Sequence, residues 1–346
     1  AQKTDGKNVV LTNTGPINLS GKESTAMYTK KTDASTGTLT NSGTINVGDK
    51  STAMYGINNV VFSNTGTINI GSDSTAMYYT DKEGSTVYNT TTGLSNAGII
   101  TSSGNNSMAM SYQDGNITGT PIFENTSTGT ITMTGDKNIG MYALKANAGS
   151  YTTKNSGTIT LGNSTELNNP NVAIYTNSAT VGTNPIENTA TITVGNNAIG
   201  IYGNEVNQSG NIMTGDNGVG IYSQRGEINL TGGTIKVGGK EAVGVYTSGI
   251  ETRMIKNSGT SFDIGDTSFG FVNIGNGGNT IESKTTNITL SGNDSVYVYS
   301  NDNTSTVNNH SAITSTGATG GNYGIISAGT VNNDGNMTLT QGIGNV

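Results

Sequence analysis

The sequence has no cysteine, no tryptophan, a single histidine and only four prolines among 346 residues. Without cysteine there is no disulfide framework and no thiolate metal cluster. This absence fits the cytosol, and it also fits a bacterial protein that crosses the periplasm without forming premature disulfides. No apolar run is long enough to span a membrane and no signal peptide is present. If the parent protein is exported, we therefore expect this stretch to be a mature piece of it.

Charged residues are also scarce, at 11% of the chain, and the formal net charge is −7. The lysines are scattered and are not interleaved with aromatic residues, which argues against nucleic acid as a partner. Abundant Gly, Ser, Thr and Asn would also fit a disordered chain. Disorder, however, usually accompanies high charge and no periodicity. This sequence has low charge and a clear period, so we expect it to fold.

The period is a unit that begins with Asn-x-Gly and ends with tyrosine. It reads NSGTINVGDKSTAMY at residues 41–55 and NTGTINIGSDSTAMY at 64–78, and an earlier copy occupies 13–28. Degenerate copies continue to the C-terminus. A fixed unit repeated along a whole chain indicates a solenoid, because one unit cannot bury its apolar side alone.

Each unit contains two extended pieces. In the first, apolar residues alternate with polar ones, as Ile45 and Val47 do, which is the spacing of a strand. The second piece leads to the tyrosine and has a small residue between two apolar columns, as in Ile199, Gly200 and Ile201. The Asn-x-Gly and Gly-Asp sequences between the pieces are typical of turns. No stretch has the period of a helix.

These observations predict an all-β fold, a right-handed single-stranded parallel β-helix of about 12–13 coils in which each strand pairs with its equivalent in the next coil. The right hand follows from the chirality preferred by parallel crossovers. We expect residues 1–346 to form a single β-helix segment of a longer protein. The asparagines at the repeated turn are expected to form a ladder in which each side-chain amide bonds the backbone of its own or the next coil: Asn13, Asn41, Asn64, Asn96, Asn125, Asn155, Asn188 and Asn257.

Four stretches interrupt the repeat, and each follows a motif tyrosine. They cover residues 79–93, 113–124, 143–154 and 176–187. Insertions at one point of successive repeats emerge on one flank of a solenoid, so we expect a contiguous ridge. The aromatic residues of this ridge are the candidate ligand-binding anchors: Tyr79, Tyr88, Phe123 and Tyr151.

The motif tyrosines allow two orientations. If Met54 points inward, alternation turns Tyr55 outward, and tyrosines of successive coils stack about 5 Å apart as an exposed ladder. Such a ladder stabilises the coils, or it serves as an aromatic strip that binds carbohydrate or protein. In the inverse orientation, the tyrosines and the Ala/Gly column lie inside, and the binding hypothesis is weaker.

Residues with chemistry of their own are few. His310 lies alone in a polar stretch and is expected at the surface. The carboxylates Asp49, Asp73, Asp136 and Asp216 are expected to be solvated turn residues that stack in one repeated turn, with a weak calcium site as the alternative. Catalytic polysaccharide-cleaving β-helices need a carboxylate cluster in one groove, and no such spacing is present. We therefore predict no enzyme activity, no catalytic residue, no cofactor and no metal site.

The repeat resembles the passenger regions of type V autotransporters over nearly the whole chain. The pattern that carries this resemblance is N-x-G-T-I-x-V-G-x-x-S-x-A-M-Y, together with its G-I-Y variant. It is most similar to the large fusobacterial outer-membrane adhesins of the RadD type. The resemblance implies a secreted, surface-displayed β-helix that is anchored to the bacterial outer membrane through a C-terminal barrel of the parent protein. Such passengers mediate cell adhesion and virulence, with a host-cell or bacterial surface protein or glycan as partner.

Two other functions stay open at this stage. The chain could be a purely structural stalk or spacer that displays a binding tip elsewhere in the parent. The less favoured alternative is a polysaccharide lyase or hydrolase, since that chemistry also occurs on β-helices.

Overall fold

The structure, a computed structural model, describes ten stretches of the chain, with the backbone alone given for residues 2–4, 114, 145 and 177. The described stretches are residues 2–4, 9–31, 35–81, 93–114, 121–145, 152–165, 168–177, 185–285, 287–317 and 320–339. All regular structure within them is β-strand, and no helix occurs there. The chain divides into two compact units: Ala1–Gly162 with Asn171–Ile186, and Asn163–Pro170 with Glu187–Val346.

Each coil consists of three short strands, which we name after a residue that recurs in each. The asparagine strand ends in the ladder residue, the isoleucine strand carries the Ile-x-Val pair, and the tyrosine strand contains the motif tyrosine. Strands of one kind pair in parallel with their equivalents in neighbouring coils, for example Ile45 with Ile68 and Tyr55 with Tyr78. The parallel β-solenoid predicted from the repeat is confirmed.

The first unit contains six or seven strands of each kind. Its asparagine strands are Val10–Asn13, Gly37–Asn41, Val60–Asn64, Gly93–Asn96, Ile122–Asn125 and Thr152–Asn155. Its isoleucine strands are Pro16–Leu19, Thr44–Val47, Thr67–Ile70, Ile99–Ser102, Thr130–Met133 and Thr158–Leu161. Its tyrosine strands are Gln2–Thr4, Thr25–Lys30, Thr52–Ile57, Thr75–Thr80, Met108–Asp114, Ile139–Lys145 and Val172–Asn177.

The second unit repeats the arrangement. Its asparagine strands are Ile186–Asn188 (at the boundary between the units), Val206–Gln208, Ile228–Leu230, Met254–Asn257, Thr280–Ser283, Thr306–Asn309 and Thr330–Asn333. Its isoleucine strands are Thr191–Val194, Asn211–Thr214, Thr234–Val237, Ser261–Ile264, Ile288–Leu290, Ile313–Ser315 and Met337–Leu339. Its tyrosine strands are Ile199–Tyr202, Val219–Ser223, Val243–Gly249, Phe269–Gly275, Val296–Ser300 and Tyr323–Ser327.

Inside each unit, the inward side chains of most strands form the core, although no residue is buried in the last asparagine and isoleucine strands, Thr330–Asn333 and Met337–Leu339. Ile45 of an isoleucine strand, Phe62 of an asparagine strand and Met54 of a tyrosine strand are all fully buried. Burying such a side chain is worth about 1.5–3 kcal/mol relative to leaving it exposed. Because each coil repeats this contribution, a sequence with few hydrophobic residues still builds a continuous core.

The asparagine strand corrects the prediction of four inserts. Residues 93, 122–124, 152–154 and 186–187 belong to asparagine strands, and residues 79–80 still belong to a tyrosine strand. The sequence conceals this strand because only one apolar residue, such as Leu94, points inward before the ladder asparagine. Residues 113–114, 143–145 and 176–177 also belong to tyrosine strands. Residues 82–92, 115–120, 146–151 and 178–184 of the inserts lie outside the described residues, as does the ridge they were expected to form.

The predicted asparagine ladder is confirmed from Asn13 to Asn155 but not for Asn257. The Nδ2 of Asn257 donates to Tyr297 Oη, and its Oδ1 accepts the N–H of Thr260. In the first unit, each amide nitrogen donates to the amide oxygen of the ladder residue in the next coil at 2.8 or 2.9 Å. Each amide also donates to a backbone carbonyl of its own turn, as Asn41 does to Gly43 at 3.2 Å. In the second unit, Asn188 donates to Gln208 at 2.8 Å, whereas Leu230 occupies the following ladder position. Where it is continuous, the ladder therefore satisfies buried polar groups at one corner of the coil.

A buried phenol occupies an exceptional position in the second unit. Tyr297 stands where the other tyrosine strands of this unit carry glycine, and it is fully buried. Its hydroxyl lies 2.5 Å from Ser283 Oγ and accepts a hydrogen bond from Asn257 Nδ2 at 3.3 Å. Burial raises its pKa to about 12. The small serine at this ladder position leaves room for the phenol.

The glycine of Asn-x-Gly is required by the spacing of the coils. A Cβ added to Gly66 would lie 2.0 Å from the carbonyl oxygen of Gly43 in the preceding coil, and one added to Gly98 would lie 2.1 Å from that of Gly66. Nothing lies within 4 Å of a Cβ added to Gly15. A methyl group at Gly66 or Gly98 would therefore collide with the backbone of the preceding coil, whereas in the second unit Ala190 and Ser311 occupy the equivalent turn position.

Gly66→Ala should lower the free energy of unfolding by about 1–3 kcal/mol, the usual cost of overpacking, because backbone must move to admit the methyl group. Gly15→Ala, the same substitution in the same motif, should change stability by less than about 0.5 kcal/mol. Urea denaturation followed by circular dichroism measures both. Equal destabilisation by the two variants would show that close stacking of the turns is not the reason that position 66 requires glycine.

Asn64→Leu should destabilise the fold by about 1–3 kcal/mol, because it removes the amide that donates to the buried Asn96 Oδ1. Asn46→Leu is the control, since Asn46 takes part in an exposed amide pair with Asn18 on the outer face of the isoleucine strands. Thermal unfolding should separate the two variants clearly. Similar midpoints would contradict a stabilising role for the buried ladder.

Candidate functional site

The motif tyrosines form stacks on the outer face of the tyrosine strands. Met54 is fully buried and Tyr55 is only partly buried, so Tyr55 points outward as the first of the two predicted orientations requires. The inverse orientation is wrong for the tyrosines, although the small residue before Met54, Ala53, is buried as well. Two adjacent residues of this strand thus face the interior, which departs from simple alternation.

In the first unit the stack has two parts. The rings of Tyr55 and Tyr78 lie 5.0 Å apart between centroids at an interplanar angle of 17°. The rings of Tyr142 and Tyr175 lie 5.3 Å apart at 8°. Ser111 separates the two parts, because it occupies the register position between Tyr78 and Tyr142.

In the second unit three tyrosines stack without interruption. Centroids are 4.9 Å apart between Tyr202 and Tyr222, and 5.2 Å apart between Tyr222 and Tyr246. Val272 follows in register and ends the stack. In-register parallel pairing sets this spacing, and each aromatic pair adds about 0.5–1.5 kcal/mol beyond its buried area.

The stacks present ring edges and phenol hydroxyls to solvent. Tyr222 accepts a hydrogen bond from Gln224 Nε2 at 3.0 Å, and its oxygen lies 3.4 Å from Ser248 Oγ. Tyr78 donates to Gln113 Oε1 at 3.4 Å. Such a strip offers apolar edges and hydrogen-bonding groups side by side, which is the combination found where proteins bind sugars or partner side chains.

Two of the four predicted ligand anchors are described by the structure, and neither lies at the surface. Tyr79 and Phe123 are fully buried, which contradicts their predicted role as exposed anchors. Tyr79 stacks on Tyr112 at 4.9 Å, and Phe123 packs against the same ring at 6.0 Å. The error has a physical reason: both residues belong to strands, so alternation turns them into the core. Tyr88 and Tyr151 lie outside the described residues.

The aspartates of the repeated turn act as caps for backbone donors. Asp49 Oδ1 accepts the N–H of Ser72 at 2.9 Å, and Asp216 Oδ1 accepts that of Lys240 at 2.8 Å. Asp136 occupies the same turn position, but Asp73 lies one position later, in the left-handed conformation at φ 54°. The expectation that all four share one column is therefore wrong for Asp73. Within the described part of the chain, no three His, Cys, Asp or Glu residues converge to hold a metal ion.

The single histidine is at the surface, as predicted. His310 Nδ1 lies 2.5 Å from Asp334 Oδ1, and the histidine side chain is 39% exposed.

Within the described stretches, no helix is long and apolar enough to span a membrane.

Three stacked tyrosines titrate abnormally. Burial raises the pKa values of Tyr78, Tyr142 and Tyr246 above the usual 10.0, and the neighbouring phenol of Tyr175 adds to the effect at Tyr142. A raised pKa means that the folded state holds the proton more tightly than the unfolded chain does. The contribution of these phenols to the free energy of unfolding is therefore fully present below pH 10 and is lost as pH rises through the folded-state pKa.

We therefore expect the free energy of unfolding to fall as pH rises above 10. In a variant with Tyr78→Phe, Tyr142→Phe and Tyr246→Phe, the free energy of unfolding should fall less steeply with pH, because three of the contributing phenols are absent. Urea denaturation at pH 9 and at pH 10.5 compares the two proteins. An identical loss of stability in both would contradict this assignment.

Comparison with protein-family models, with curated proteins and with solved structures finds no match to this chain.

Proposed function

We propose that this chain is a non-catalytic segment of a bacterial surface adhesin, an extended β-helical passenger that attaches to host cells or to other bacteria. The proposed partner is a surface protein or glycan, and the proposed location is the cell surface. The observation that supports this best is the stacking of partly exposed tyrosines along the outer face of successive coils.

A repeated outer face suits attachment for a physical reason. Coils that share a sequence motif present the same groups at a spacing of about 4.8 Å. A surface coated with glycans or repeated proteins can engage several such groups at once, and multivalent engagement turns weak single contacts into firm attachment. The resemblance of the repeat to autotransporter passengers supports the same proposal.

A structural spacer is the second candidate, and one observation favours it. Each tyrosine in the middle of a stack already contacts a ring on both sides, as Tyr222 does with Tyr202 and Tyr246. The stacks would then contribute stability alone, and attachment would depend on another part of the parent protein.

Attachment of cells to beads coated with the chain separates the two candidates. Epithelial cells and several bacterial species serve as probes. The variant Tyr202→Ser, Tyr222→Ser, Tyr246→Ser should hold at least tenfold fewer cells than the unaltered chain, because it removes one whole stack. Circular dichroism is measured on each protein to verify its folding.

The matched control changes three outward residues of the isoleucine strands in the same unit: Thr191→Ser, Asn211→Ser and Thr234→Ser. We expect this control to hold cells as the unaltered chain does. If the unaltered chain holds no cells at all, the spacer is correct. If both variants hold cells equally well, the tyrosine stack of the second unit is not the attachment surface.

A further inference from the structure

A cavity of about 360 Å³ opens at one corner of the second unit. Two consecutive turns that leave tyrosine strands form its walls, and we name it the corner cavity. Its lining residues are Gln224, Arg225, Ser248, Gly249, Ile250 and Glu251. The volume lies at the lower end of the range for small-molecule sites and is far larger than a single inorganic anion needs.

A buried arginine lies behind this wall. Arg253 is 6% exposed, donates from Nη1 to Ser223 Oγ at 3.1 Å and donates from Nη2 to the carbonyl of Ser248, while its Nε has no hydrogen-bond partner. Among the described residues, no carboxylate lies within ion-pair distance of it. Burial lowers its pKa to about 10, so the guanidinium stays charged at neutral pH.

The corner cavity therefore has an excess of positive charge. Arg225 and Glu251 face each other at the rim, with Nε and Oε1 3.6 Å apart and both side chains 46% exposed, which makes a weak pair. Adding Arg253 leaves two arginines against one glutamate. Glu251, which pairs with Arg225, also acts on the charge of Arg253, so one carboxylate offsets two guanidiniums. A buried guanidinium whose charge is only partly offset is costly, and its planar fork matches a carboxylate. An anionic group in the cavity would offset that cost.

The uncharged part of the lining favours a sugar over other anions. Gln224 and Ser248 provide an amide and a hydroxyl, and both are close to the phenol oxygen of Tyr222, which links the cavity to the tyrosine stack. Ile250, 84% exposed, adds an apolar side chain at the same place. A sugar ring presents hydroxyl groups and apolar C–H faces, and this lining can contact both.

We infer that the corner cavity binds an acidic sugar residue, with its carboxylate near Arg225 and Arg253 and its hydroxyls near Gln224 and Ser248. The inference deepens the proposed function, on which it rests, by naming a ligand class and a place. An acidic peptide offers the same charge but not the ring of hydroxyls, so it serves as an alternative ligand in the test.

Isothermal titration calorimetry of the whole chain tests the inference with four probes: glucuronic acid, N-acetylneuraminic acid, glucose and an oligoglutamate peptide. We expect at least one acidic sugar to bind at least tenfold more tightly than glucose and the peptide do. Comparing the affinities of the two acidic sugars shows whether the cavity prefers a uronic acid or a sialic acid. Binding should weaken as salt is raised, because it depends on charge.

Arg225→Gln should weaken binding of the acidic sugar about tenfold or more, since a charge-assisted contact is lost. Lys256→Gln is the matched control, because it also removes one cation from a surface pair, that with Glu227, outside the cavity. We expect it to bind as the unaltered chain does. Arg253→Gln tests the buried charge, and if that variant does not fold, Arg225→Gln decides.

Equal affinity for glucose, tighter binding of the peptide or equal effects of Arg225→Gln and Lys256→Gln would each overturn the inference. The bead assay is read separately. If the chain binds the acidic sugar but holds no cells, the inference about the corner cavity stands and the adhesin proposal is wrong. If the chain holds cells but binds no acidic sugar, the adhesin proposal stands and the inference about the corner cavity is wrong.

Discussion

In-register pairing of equivalent residues is the constraint on which this structure depends. Strands of one kind align so that Ile45 faces Ile68 and Tyr55 faces Tyr78, at the roughly 4.8 Å spacing of hydrogen-bonded strands. Every position of the coil must therefore tolerate a copy of itself directly above and below. Isoleucine, asparagine, glycine and tyrosine each meet this condition in a different way, through apolar packing, amide hydrogen bonds, close backbone approach and ring stacking.

The same constraint explains how so polar a chain builds a core. A lone buried asparagine would leave donors or acceptors unsatisfied, but a stacked asparagine finds its partner in the neighbouring coil. Asn64, for example, accepts from Asn41 and donates to Asn96 at 2.8 Å. Polar residues in the interior thus take part in joining the coils and are not defects that apolar residues have to offset.

The sequence was sufficient to predict the solenoid, the parallel pairing and most of the asparagine ladder, because each follows from the repeat and its period, whereas it left the orientation of the tyrosines open. It was insufficient for the asparagine strand, in which a single inward residue such as Leu94 gives too little periodicity to detect. The predicted anchor Phe123 failed for this reason, and Tyr79 failed because its tyrosine strand continues past the motif tyrosine to Thr80 and turns Tyr79 inward. The corner cavity was also not foreseen, because Arg225 and Glu251 come together only when two coils are stacked.

The amide ladder also has a direction. In every bond from Asn13 to Asn155, the side-chain nitrogen of one coil donates to the side-chain oxygen of the next. A coil placed upside down would set donor against donor, so only units of the same polarity can be added. Duplication of a gene segment supplies such a unit automatically, and lengthening by duplication is therefore the mode of evolution that this interior accommodates most readily.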